Sequence, residues 1–334
     1  MIGFEPRPSL AGGHRMTLYS WGNPRYFPRL PPAQRRYFDV APGARVVADC
    51  HWQADRWERP TLLALHGLNG SSAAHYIRGL AAKAFARGMN VVRLNQRNCG
   101  DTEHLAEGLF HSGLTTDAAL VVDELTRVDG LPAVAVAGYS LGGNLALKLA
   151  GEYGPNPPSA LTAVAAVSPI IEIGECTRAL ERPENWLYQW NFVRDLKRRI
   201  RRKDALRRGA FDLARLRAIR TVRAFDEAYT APYFGFRSAE DYYHRASAMR
   251  VVDRISVPTL IISAEDDPFV PPEPFRDPRV AGNPHIDLRL SAHGGHCGFV
   301  GVRSGEDDGY WAENQIVEFA NSIVPAQSIR ASRG

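Results

Sequence analysis

The stretch that most constrains the fold lies between residues 134 and 150, where a short apolar segment runs into a Gly-x-Ser-x-Gly sequence. Residues 134–137 alternate valine with alanine and have the length and flanks of a buried β-strand. Gly138–Gly142 follows, and residues 144–150 are then mostly good helix formers. A strand, a sharp turn and a helix in this order present the serine of such a sequence as a nucleophile. We therefore predict that Ser140 is a nucleophile, although a chance turn of small residues would explain the pentapeptide alone.

Strands and helices alternate along much of the remaining chain, which predicts an α/β fold. A mostly parallel sheet with helices on both faces is expected from this alternation. The other predicted strands, in order, are Arg36–Val40, Ala44–Cys50, Thr61–His66, Val91–Leu94, Leu161–Val167, Val257–Ser263 and Ile286–Leu290. Further helices are predicted over about residues 74–87, 115–128 and 310–324.

Two segments interrupt this alternation and suggest a division of the chain. Residues 1–35 contain six prolines and are predicted to form an irregular arm. Residues 172–250 are basic, aromatic and helical in their apolar spacing, and we interpret them as a helical lid over the carboxyl edge of the sheet. Residues 36–171 and 251–334 then form the α/β core.

Composition excludes several classes of protein. The four cysteines (Cys50, Cys99, Cys176 and Cys297) have no metal-type spacing, and their small number fits a reducing compartment better than a disulfide framework. No stretch approaches 18 apolar residues, and the first residues do not resemble a signal peptide. We expect a soluble, cytoplasmic chain that needs no cofactor.

A nucleophilic serine needs a base within hydrogen-bond reach and a carboxylate that orients the base. In folds with this serine turn, the acid and then the histidine follow the serine along the chain. Asp266 and Asp267 both follow a predicted strand, and Asp267 is favoured because Pro271 fits the usual course of such a loop.

Two histidines follow the last predicted strand. His296 is favoured as the base because the flexible pair Gly294-Gly295 precedes it and could bring it over the serine, whereas His293 suits a packing role in the loop. Their His-x-x-His spacing lacks a third ligand, so no metal site is predicted.

An oxyanion formed on the substrate needs two fixed hydrogen-bond donors. The backbone N–H of Leu141, directly after the serine, is one candidate, and the N–H of Leu68 after the strand that ends at His66 is the other. His66 itself is interpreted as a structural residue.

Eight short motifs spread over about residues 60–300 resemble one known family. They are His66–Ser72, Asn95–Gly100, His111–Thr115, Gly138–Gly143, Thr230–Pro232 with Gly235-Phe236, Asp241–Tyr243, Asp266–Phe269 and Gly294–His296. Together they are similar to the α/β-hydrolase superfamily, in the branch of bacterial hydrolases, medium-chain fatty-acid ethyl-ester synthases and membrane-associated phospholipases. Arg97-Asn98-Cys99-Gly100 departs from the family's Arg-Gly-Cys-Gly. The resemblance implies an esterase or acyltransferase that acts on fatty acyl esters.

The leading hypothesis is thus a serine carboxylic-ester hydrolase that forms an acyl-enzyme and takes a small-molecule acyl ester. Transfer of the acyl group to an alcohol, or a non-catalytic binding protein on the same fold, are the alternatives. Aromatic residues of the lid would line an apolar acyl site or form the lid's own core; they are Trp186, Tyr188, Trp190, Phe192, Tyr233, Phe234 and Phe236.

The formal net charge of +5 is concentrated between Arg194 and Arg208, a segment that contains nine basic residues and two acidic ones. Phe192, Leu196 and Ile200 form an apolar stripe on the same predicted helix. Such a run is usually a solvated helix face, but a cationic amphipathic helix could also rest on an anionic membrane surface. No nucleic-acid-binding module accompanies it, so nucleic acid is not expected as a partner.

Overall fold

A computed structural model describes residues 3–305 and 307–323 of the chain. Eight strands form one sheet in the order β1-β2-β4-β3-β5-β6-β7-β8. The strands are β1 Gln34–Ala41, β2 Ala44–His51, β3 Thr61–Leu65, β4 Asn90–Asn95, β5 Val134–Tyr139, β6 Leu161–Val167, β7 Thr259–Ala264 and β8 Ile286–Ser291. β2 pairs antiparallel with both β1 and β4, and all other pairs are parallel. The predicted mostly parallel sheet is confirmed.

Side chains alternate across β5 because successive residues of a strand point to opposite faces of the sheet. Val134 and Val136 join one buried apolar cluster, whereas Ala135, Ala137 and Tyr139 join another. Every residue of β5 is buried. Both faces of the central strand are thus covered, which is the reason that its sequence is apolar throughout instead of alternating with polar residues.

Helices on the two faces supply the other half of each cluster. Helix α3, Thr115–Asp123, and helix α4, Leu141–Tyr153, pack on the face of Val134 and Val136. Helix α2, His75–Ala86, and the last described helix, Trp311–Ile323, pack on the other face. Val324, with which the predicted last helix ends, lies outside the described residues.

The N-terminal segment is more ordered than its prolines suggest. Residues 1–35 were predicted to be irregular, but Gly13–Gly22 forms a regular helix, α1, in which Met16 is fully buried. The prediction was wrong for this part because the prolines of the segment lie on either side of residues 13–22 and leave the helix itself free of them. Pro24 and its neighbours then carry the chain in irregular conformation towards β1.

The chain between β6 and β7 contains helices and turns but no strand among its residues, all of which are described. Its helices are α5 Ile173–Leu180, α6 Trp186–Leu206, α7 Val222–Phe225, α8 Ala231–Tyr233 and α9 Ala239–Ala246. A π-helical turn, Asp226–Thr230, joins α7 to α8. A short helix, α10 Pro278–Ala281, follows β7, and the last described helix, α11 Trp311–Ile323, follows β8. Among the described residues, no helix is long and apolar enough to span a bilayer.

Candidate active site

The turn between β5 and α4 holds Ser140 in a backbone conformation that L-residues rarely adopt, with φ of +54° and ψ of −116°. The two glycines on either side allow it. A Cβ on Gly138 would lie 2.0 Å from the carbonyl oxygen of Gly142, and one on Gly142 would lie 2.4 Å from the carbonyl oxygen of Leu65. Both contacts are with backbone atoms, so no side chain could turn away to make room. The strained serine is therefore fixed by close packing of α4 against β3 and β5.

The loop after β8 is fixed by three consecutive backbone N–H groups. Gly295 N donates to Asp266 Oδ1 at 2.8 Å, and His296 N donates to Thr17 Oγ1 at 2.8 Å. Cys297 N donates to Ser168 Oγ at 3.0 Å. Each acceptor comes from a different part of the chain, so the loop is held from three directions.

The two adjacent carboxylates turn to different histidines. Asp267 Oδ2 lies 2.9 Å from His296 Nδ1, and Asp267 Oδ1 accepts from the N–H groups of Phe269 and Val270. Asp266 Oδ2 lies 3.1 Å from His293 Nδ1. The Asp267 side chain is fully buried and that of His296 is 11% exposed, whereas His293 is 45% exposed. The more buried pair is the one that the sequence favoured.

The environment of His296 sets its charge. Burial would lower the pKa of the imidazole, but the Asp267 carboxylate opposes this effect and raises the pKa above its ordinary value. With Nδ1 donating to Asp267, the free Nε2 is the nitrogen that can accept a proton. Phe269 packs against the ring, with centroids 4.1 Å apart, and limits its rotation.

Two cavities meet at Ser140. The first, of about 90 Å³, lies beneath the helices between β6 and β7, and we call it the inner chamber. The second, of about 340 Å³, contains both Ser140 and His296 in its lining, and we call it the outer chamber. Leu68, Ser140, Phe192 and Phe269 line both. A group bound at the serine would thus have space on two sides.

The inner chamber is mostly apolar. The aliphatic and aromatic residues of its wall include Leu109, Ile173, Leu180, Leu196, Ile200 and Phe225. Two charged residues also reach it. Arg199 of α6 donates to Asn69 Oδ1 at 3.0 Å, and Asp226 in the π-helical turn accepts from Thr230 and Tyr243. Burial raises the pKa of Asp226 to about 6.

The backbone around the serine offers two N–H groups without an acceptor. Leu141 is the first residue of α4, and neither its N–H nor that of Leu68 donates to any group in the described parts of the chain. Both residues line the inner chamber with Ser140. Gly67 N, next to Leu68, donates to the Tyr76 hydroxyl at 3.0 Å, which fixes the turn after β3.

His66 is buried at the end of β3, and both ring nitrogens have backbone partners. Nδ1 lies 2.8 Å from the carbonyl oxygen of Gly67, and Gln96 N donates to Nε2. Burial lowers the pKa of this imidazole to about 4, so it is neutral at pH 7. These contacts support the structural role that the sequence analysis assigned to His66.

The motif at residues 111–115 attaches the helical insertion to the core. Ser112 N donates to the Tyr242 hydroxyl at 2.9 Å, and that hydroxyl donates to Ser112 Oγ at 2.7 Å. Asn144 of α4 donates to the carbonyl oxygens of Ser112 and Ala246 and accepts from Ala248 N. The start of α4, directly behind Ser140, is therefore tied to α9.

The aromatic residues of the insertion divide into three groups. Phe192 lines both chambers and Tyr188 lines the outer one, whereas Trp186, Trp190 and Tyr233 are exposed. Phe234 and Phe236 instead pack against the ring of His111. Phe192 and Tyr188 are thus placed where they could contact a bound group, and the alternative that all seven residues form the lid's own core is wrong for Trp186, Trp190 and Tyr233.

The basic run on α6 is less free than its charge count suggests. Asp195 pairs with Arg194 and Arg198, and Arg202 pairs with Asp101 and Glu103. Arg207 pairs with Glu107, and the buried Lys203 donates to the carbonyl oxygens of Glu103 and Ala106. Arg199 donates to the amide oxygen of Asn69 instead of to a carboxylate. In the described parts of the chain, the other three of the nine basic residues, Lys197, Arg201 and Arg208, have neither a carboxylate partner nor a side-chain hydrogen bond.

Sequence comparison assigns the chain to a family. The profile described as the alpha/beta hydrolase fold matches residues 60–301. The chain belongs to the α/β-hydrolase family. It is 34% identical over 277 residues to Escherichia coli (strain K12) YheT, whose name describes it provisionally as an esterase; the match covers 82% of this chain and 80% of YheT.

Other relatives of this α/β hydrolase carry different activities in their names. Mouse phospholipase ABHD3 is 31% identical over 280 residues, with 81% of this chain and 67% of the relative covered. Medium-chain fatty acid ethyl ester synthase/esterase 2 of Saccharomyces cerevisiae (strain ATCC 204508 / S288c) is 28% identical over 287 residues, with 78% and 61% covered. The solved Pyrococcus furiosus esterase Pf2001 has a TM-score of 0.57 at 14% identity and covers 87% of this chain and 92% of its own, which supports the fold alone.

Sequence reasoning missed Thr17 and Ser168, which accept from the backbone of the histidine loop. Ser168 directly follows β6. Its position could have been used to predict a place near the site, because the carboxyl ends of parallel strands meet at the same edge of the sheet. Thr17 carried no such signal, since it lies 279 residues from His296 in a segment predicted to be irregular.

Proposed function

We propose that this α/β hydrolase is a serine carboxylic-ester hydrolase that forms an acyl-enzyme on Ser140. In this proposal His296 is the general base and Asp267 orients it. The N–H groups of Leu68 and Leu141 form the oxyanion hole. Esterase names among its relatives support hydrolysis of an ester, and the arrangement of these residues supports the mechanism.

The contact that carries the proposal is the buried pair of Asp267 and His296, whose atoms Oδ2 and Nδ1 are 2.9 Å apart, in a cavity that Ser140 also lines. With Nδ1 donating to Asp267, the imidazole is held in the tautomer whose Nε2 accepts a proton. That is the tautomer which a base for a serine hydroxyl requires.

The proposed reaction has two halves. His296 Nε2 takes the proton of Ser140 as Oγ bonds to the ester carbonyl carbon, and the carbonyl oxygen becomes an oxyanion facing Leu68 N and Leu141 N. The C–O bond to the alcohol then breaks, and the alcohol leaves with the proton from His296. In the second half His296 removes a proton from water as the water oxygen attacks the acyl carbon. The bond from the acyl carbon to Ser140 Oγ then breaks, His296 returns the proton to Oγ, and the acid leaves.

Labelling with a fluorophosphonate probe tests this mechanism. The wild-type protein should be labelled at Ser140, and Ser140→Ala should remain folded, take no label and lose turnover of a p-nitrophenyl ester by a factor on the order of 10⁶. Ser263→Ala is a matched control, because it removes a buried serine hydroxyl of β7 that has no hydrogen-bond partner in the described chain. An unlabelled wild type would favour a non-catalytic binding protein, and turnover by Ser140→Ala would exclude the mechanism.

Acyl transfer to an alcohol is a second candidate, and the two chambers at Ser140 favour it. An acyl group in the inner chamber leaves the outer chamber open to an alcohol, which would replace water in the second half-reaction. The ethyl ester synthase/esterase relative is consistent with this route. Product analysis with and without ethanol, on one p-nitrophenyl ester, separates the two. Ethyl ester formed in proportion to ethanol supports transfer, and free acid alone supports hydrolysis.

We also propose that residues 172–250 act as a lid, with residues 36–171 and 251–334 as the core. Leu180, Phe192, Leu196 and Phe225 of this segment line the inner chamber, so substrate cannot reach its depth without displacing or passing them.

We also propose peripheral contact with an anionic membrane through Arg194–Arg208. Because several of these basic residues are already paired with carboxylates, the proposed contact is limited to the part of the surface where the cations are unpaired. Lys197 and Arg201 lack carboxylate partners and share a groove with the exposed Trp186 and Trp190. Burial, and then the charges of Arg220 and Arg201, lower the pKa of Lys197. Free cations beside exposed tryptophans are suited to the interface of an anionic bilayer.

Sedimentation with liposomes tests the membrane proposal. The double change Lys197→Gln and Arg201→Gln should weaken binding to anionic liposomes at low salt and flatten its salt dependence. Changing Arg29 and Arg87 to Gln gives the same loss of net charge outside the insertion and should have less effect. Wild-type protein that stays in the supernatant at low salt would exclude membrane contact and leave α6 as a solvated helix.

A further inference from the structure

The N-terminal helix α1 packs directly on both loops that carry the candidate acid and base. A Cβ on Gly13 would lie 1.6 Å from the carbonyl oxygen of Asp266, so the first turn of α1 lies against the acid loop. A Cβ on Gly295, where φ is +55°, would lie 2.6 Å from the carbonyl oxygen of Gly13 and 2.7 Å from Thr17 Oγ1. Helix and loops approach so closely that only glycine fits at either position.

Thr17 connects α1 to the backbone of His296. Its Oγ1 donates to the carbonyl oxygen of Gly13 at 2.7 Å and accepts from His296 N at 2.8 Å. Thr17 is buried, so water cannot readily replace this acceptor. The hydroxyl therefore fixes the backbone of His296, whose side chain lines the outer chamber together with Ser140.

The other side of α1 contacts the helical insertion. The ring of His14 stacks on that of Tyr188 in α6, with centroids 5.8 Å apart, and His14 Nδ1 lies 3.2 Å from the Tyr188 hydroxyl. α1 thus bridges the histidine loop and α6. Between these contacts, Thr17, Ser20 and Trp21 form one wall of the outer chamber.

The chemistry of the outer chamber indicates what binds there. Hydroxyl and amide groups of Thr17, Ser20, Asn69 and Asn191 reach it, and its lining in the described chain contains no lysine or arginine. His75 also lines it, and burial lowers the pKa of this imidazole to about 4, so it is uncharged at pH 7.

Asp195 also lines the outer chamber, and its carboxylate is paired with Arg194 and Arg198. Outside the Asp267–His296 pair, whose opposite charges offset each other, the chamber has neutral hydrogen-bonding groups and no available cation. Such a lining favours an uncharged, hydroxyl-bearing ligand over a phosphate, because a phosphate would lose hydration without gaining a partner.

We propose that α1 is a part of the active site: Thr17 positions His296, and Thr17, Ser20 and Trp21 form the wall that binds an uncharged, hydroxyl-bearing alcohol part of the ester. This inference rests on the proposed ester hydrolysis at Ser140. It adds a positioning residue and assigns the outer chamber to the alcohol, which leaves the inner chamber to the acyl group.

Substitution of Thr17 tests the positioning role. Thr17→Val keeps the shape but removes the hydroxyl and should lower kcat by about 10-fold to 100-fold, because a small displacement of the base is enough for such a loss. Thr17→Ser keeps the hydroxyl and should restore most of kcat. Loosening of the Asp267–His296 contact should also lower the apparent pKa of kcat/KM in Thr17→Val.

A merely structural Thr17 would lower Tm in Thr17→Val without changing kcat or that pKa, and this result would overturn the positioning role. Equal impairment of Thr17→Ser and Thr17→Val would overturn it too, since the hydroxyl would then not matter. A wild-type protein that neither hydrolyses esters nor takes the fluorophosphonate label would instead contradict the proposed hydrolysis itself. The experiment therefore distinguishes failure of the proposed function from failure of the positioning role.

A set of esters with one acyl chain tests the alcohol wall. The wild type should prefer the glycerol ester over the glycerol phosphate ester by more than about 10-fold in kcat/KM. Trp21→Ala should raise KM for the glycerol ester and leave the order of preference among acyl lengths of p-nitrophenyl esters unchanged. Trp57→Ala is the matched control, since Trp21 and Trp57 are both 57% exposed and Trp57 lies outside the chamber.

Equal or better cleavage of the phosphate ester would overturn the assignment of an uncharged alcohol. A Trp21→Ala variant that alters acyl-length preference but not KM for the glycerol ester would place the acyl group, and not the alcohol, in the outer chamber.

Discussion

Replacement of Asp267 by asparagine should abolish most ester turnover without unfolding the protein. In the native structure Oδ1 accepts from Phe269 N at 3.1 Å and from Val270 N at 3.0 Å, while Oδ2 faces His296 Nδ1 at 2.9 Å. The asparagine oxygen must remain opposite the two backbone donors, because an amide nitrogen there would oppose N–H to N–H. The NH₂ group is then forced to face His296.

An NH₂ group beside Nδ1 favours the imidazole tautomer that carries its hydrogen on Nε2. In this tautomer Nε2 has no free lone pair, so it cannot accept the proton of Ser140. Loss of this tautomer lowers turnover by about 10³–10⁴ in serine hydrolases. At about 1.36 kcal/mol for each factor of ten, this corresponds to roughly 4–5.5 kcal/mol in the activation free energy.

Asp266→Asn is a matched control because the two carboxylates have parallel contacts. Asp266 Oδ1 accepts from Gly295 N and Oδ2 faces His293 Nδ1, so the same substitution turns an NH₂ group towards His293. His293 is 45% exposed and can change tautomer with water as a partner. Asp266→Asn should therefore lose less than about 10-fold, through a small displacement of the loop.

Steady-state kinetics on one p-nitrophenyl ester measures both variants, with thermal unfolding as the check on folding. A loss in Asp266→Asn that equals or exceeds that in Asp267→Asn, at similar Tm, would refute the assignment of the orienting carboxylate. His296→Ala and His293→Ala should show the same order, with the larger loss in His296→Ala.

The remaining predictions concern pH and packing. Because the pKa of His296 lies above its ordinary value, kcat/KM should rise as pH increases past that raised pKa, and Asp267→Asn should shift the rise to lower pH. The Asp267–His296 pair should also stabilise the folded state. This contribution to the free energy of unfolding should be fully present below the pKa of about 6.5 that His296 has in the unfolded chain, and it should be lost as pH rises through the raised pKa of His296 in the folded protein. Urea unfolding of the wild type and of Asp267→Asn at several pH values measures this contribution. Gly142→Ala should destabilise the fold by about 1–3 kcal/mol, since its Cβ would meet the Leu65 carbonyl oxygen. Gly174→Ala, whose Cβ would lie 3.6 Å from Glu240 Oε2, should be neutral or stabilising, and similar Tm values for the two variants would contradict this prediction.

The sheet and the serine turn could be predicted from sequence because their causes are local. β5 is apolar because both of its faces are buried, and Gly138 is required by a backbone contact within the same strand–turn–helix unit. Gly142 is required by the close approach of the neighbouring strand β3. The choice of Asp267 over Asp266 was harder, since adjacent residues share the same local pattern. What separates their geometry is the direction in which the loop turns towards two different histidines.

The basic helix α6 was harder to predict because a charge count does not include partners from elsewhere in the chain. Asp101 and Glu103 pair with Arg202 of α6, about 100 residues later in the chain, and Glu107 pairs with Arg207 just after the helix. The carbonyl oxygen of Glu103 also accepts from the buried Lys203. The sum over the helix is strongly positive, yet the field at its surface depends on which charges remain unpaired.

The role of helix α1 at the candidate active site was also hard to predict from sequence, because its partners are distant along the chain. Its residues 13–22 form a helix without strong local signals, and its contacts are with residues that lie up to 284 positions away. A glycine, a histidine and a threonine in an N-terminal segment suggest no chemistry by themselves. Once the fold brings Thr17 to the backbone of His296 and His14 to Tyr188, one short helix contacts both the base and the insertion. A movement of α6 that admits substrate would therefore act through α1 on the position of the base, which is a coupling that no pattern within either segment contains.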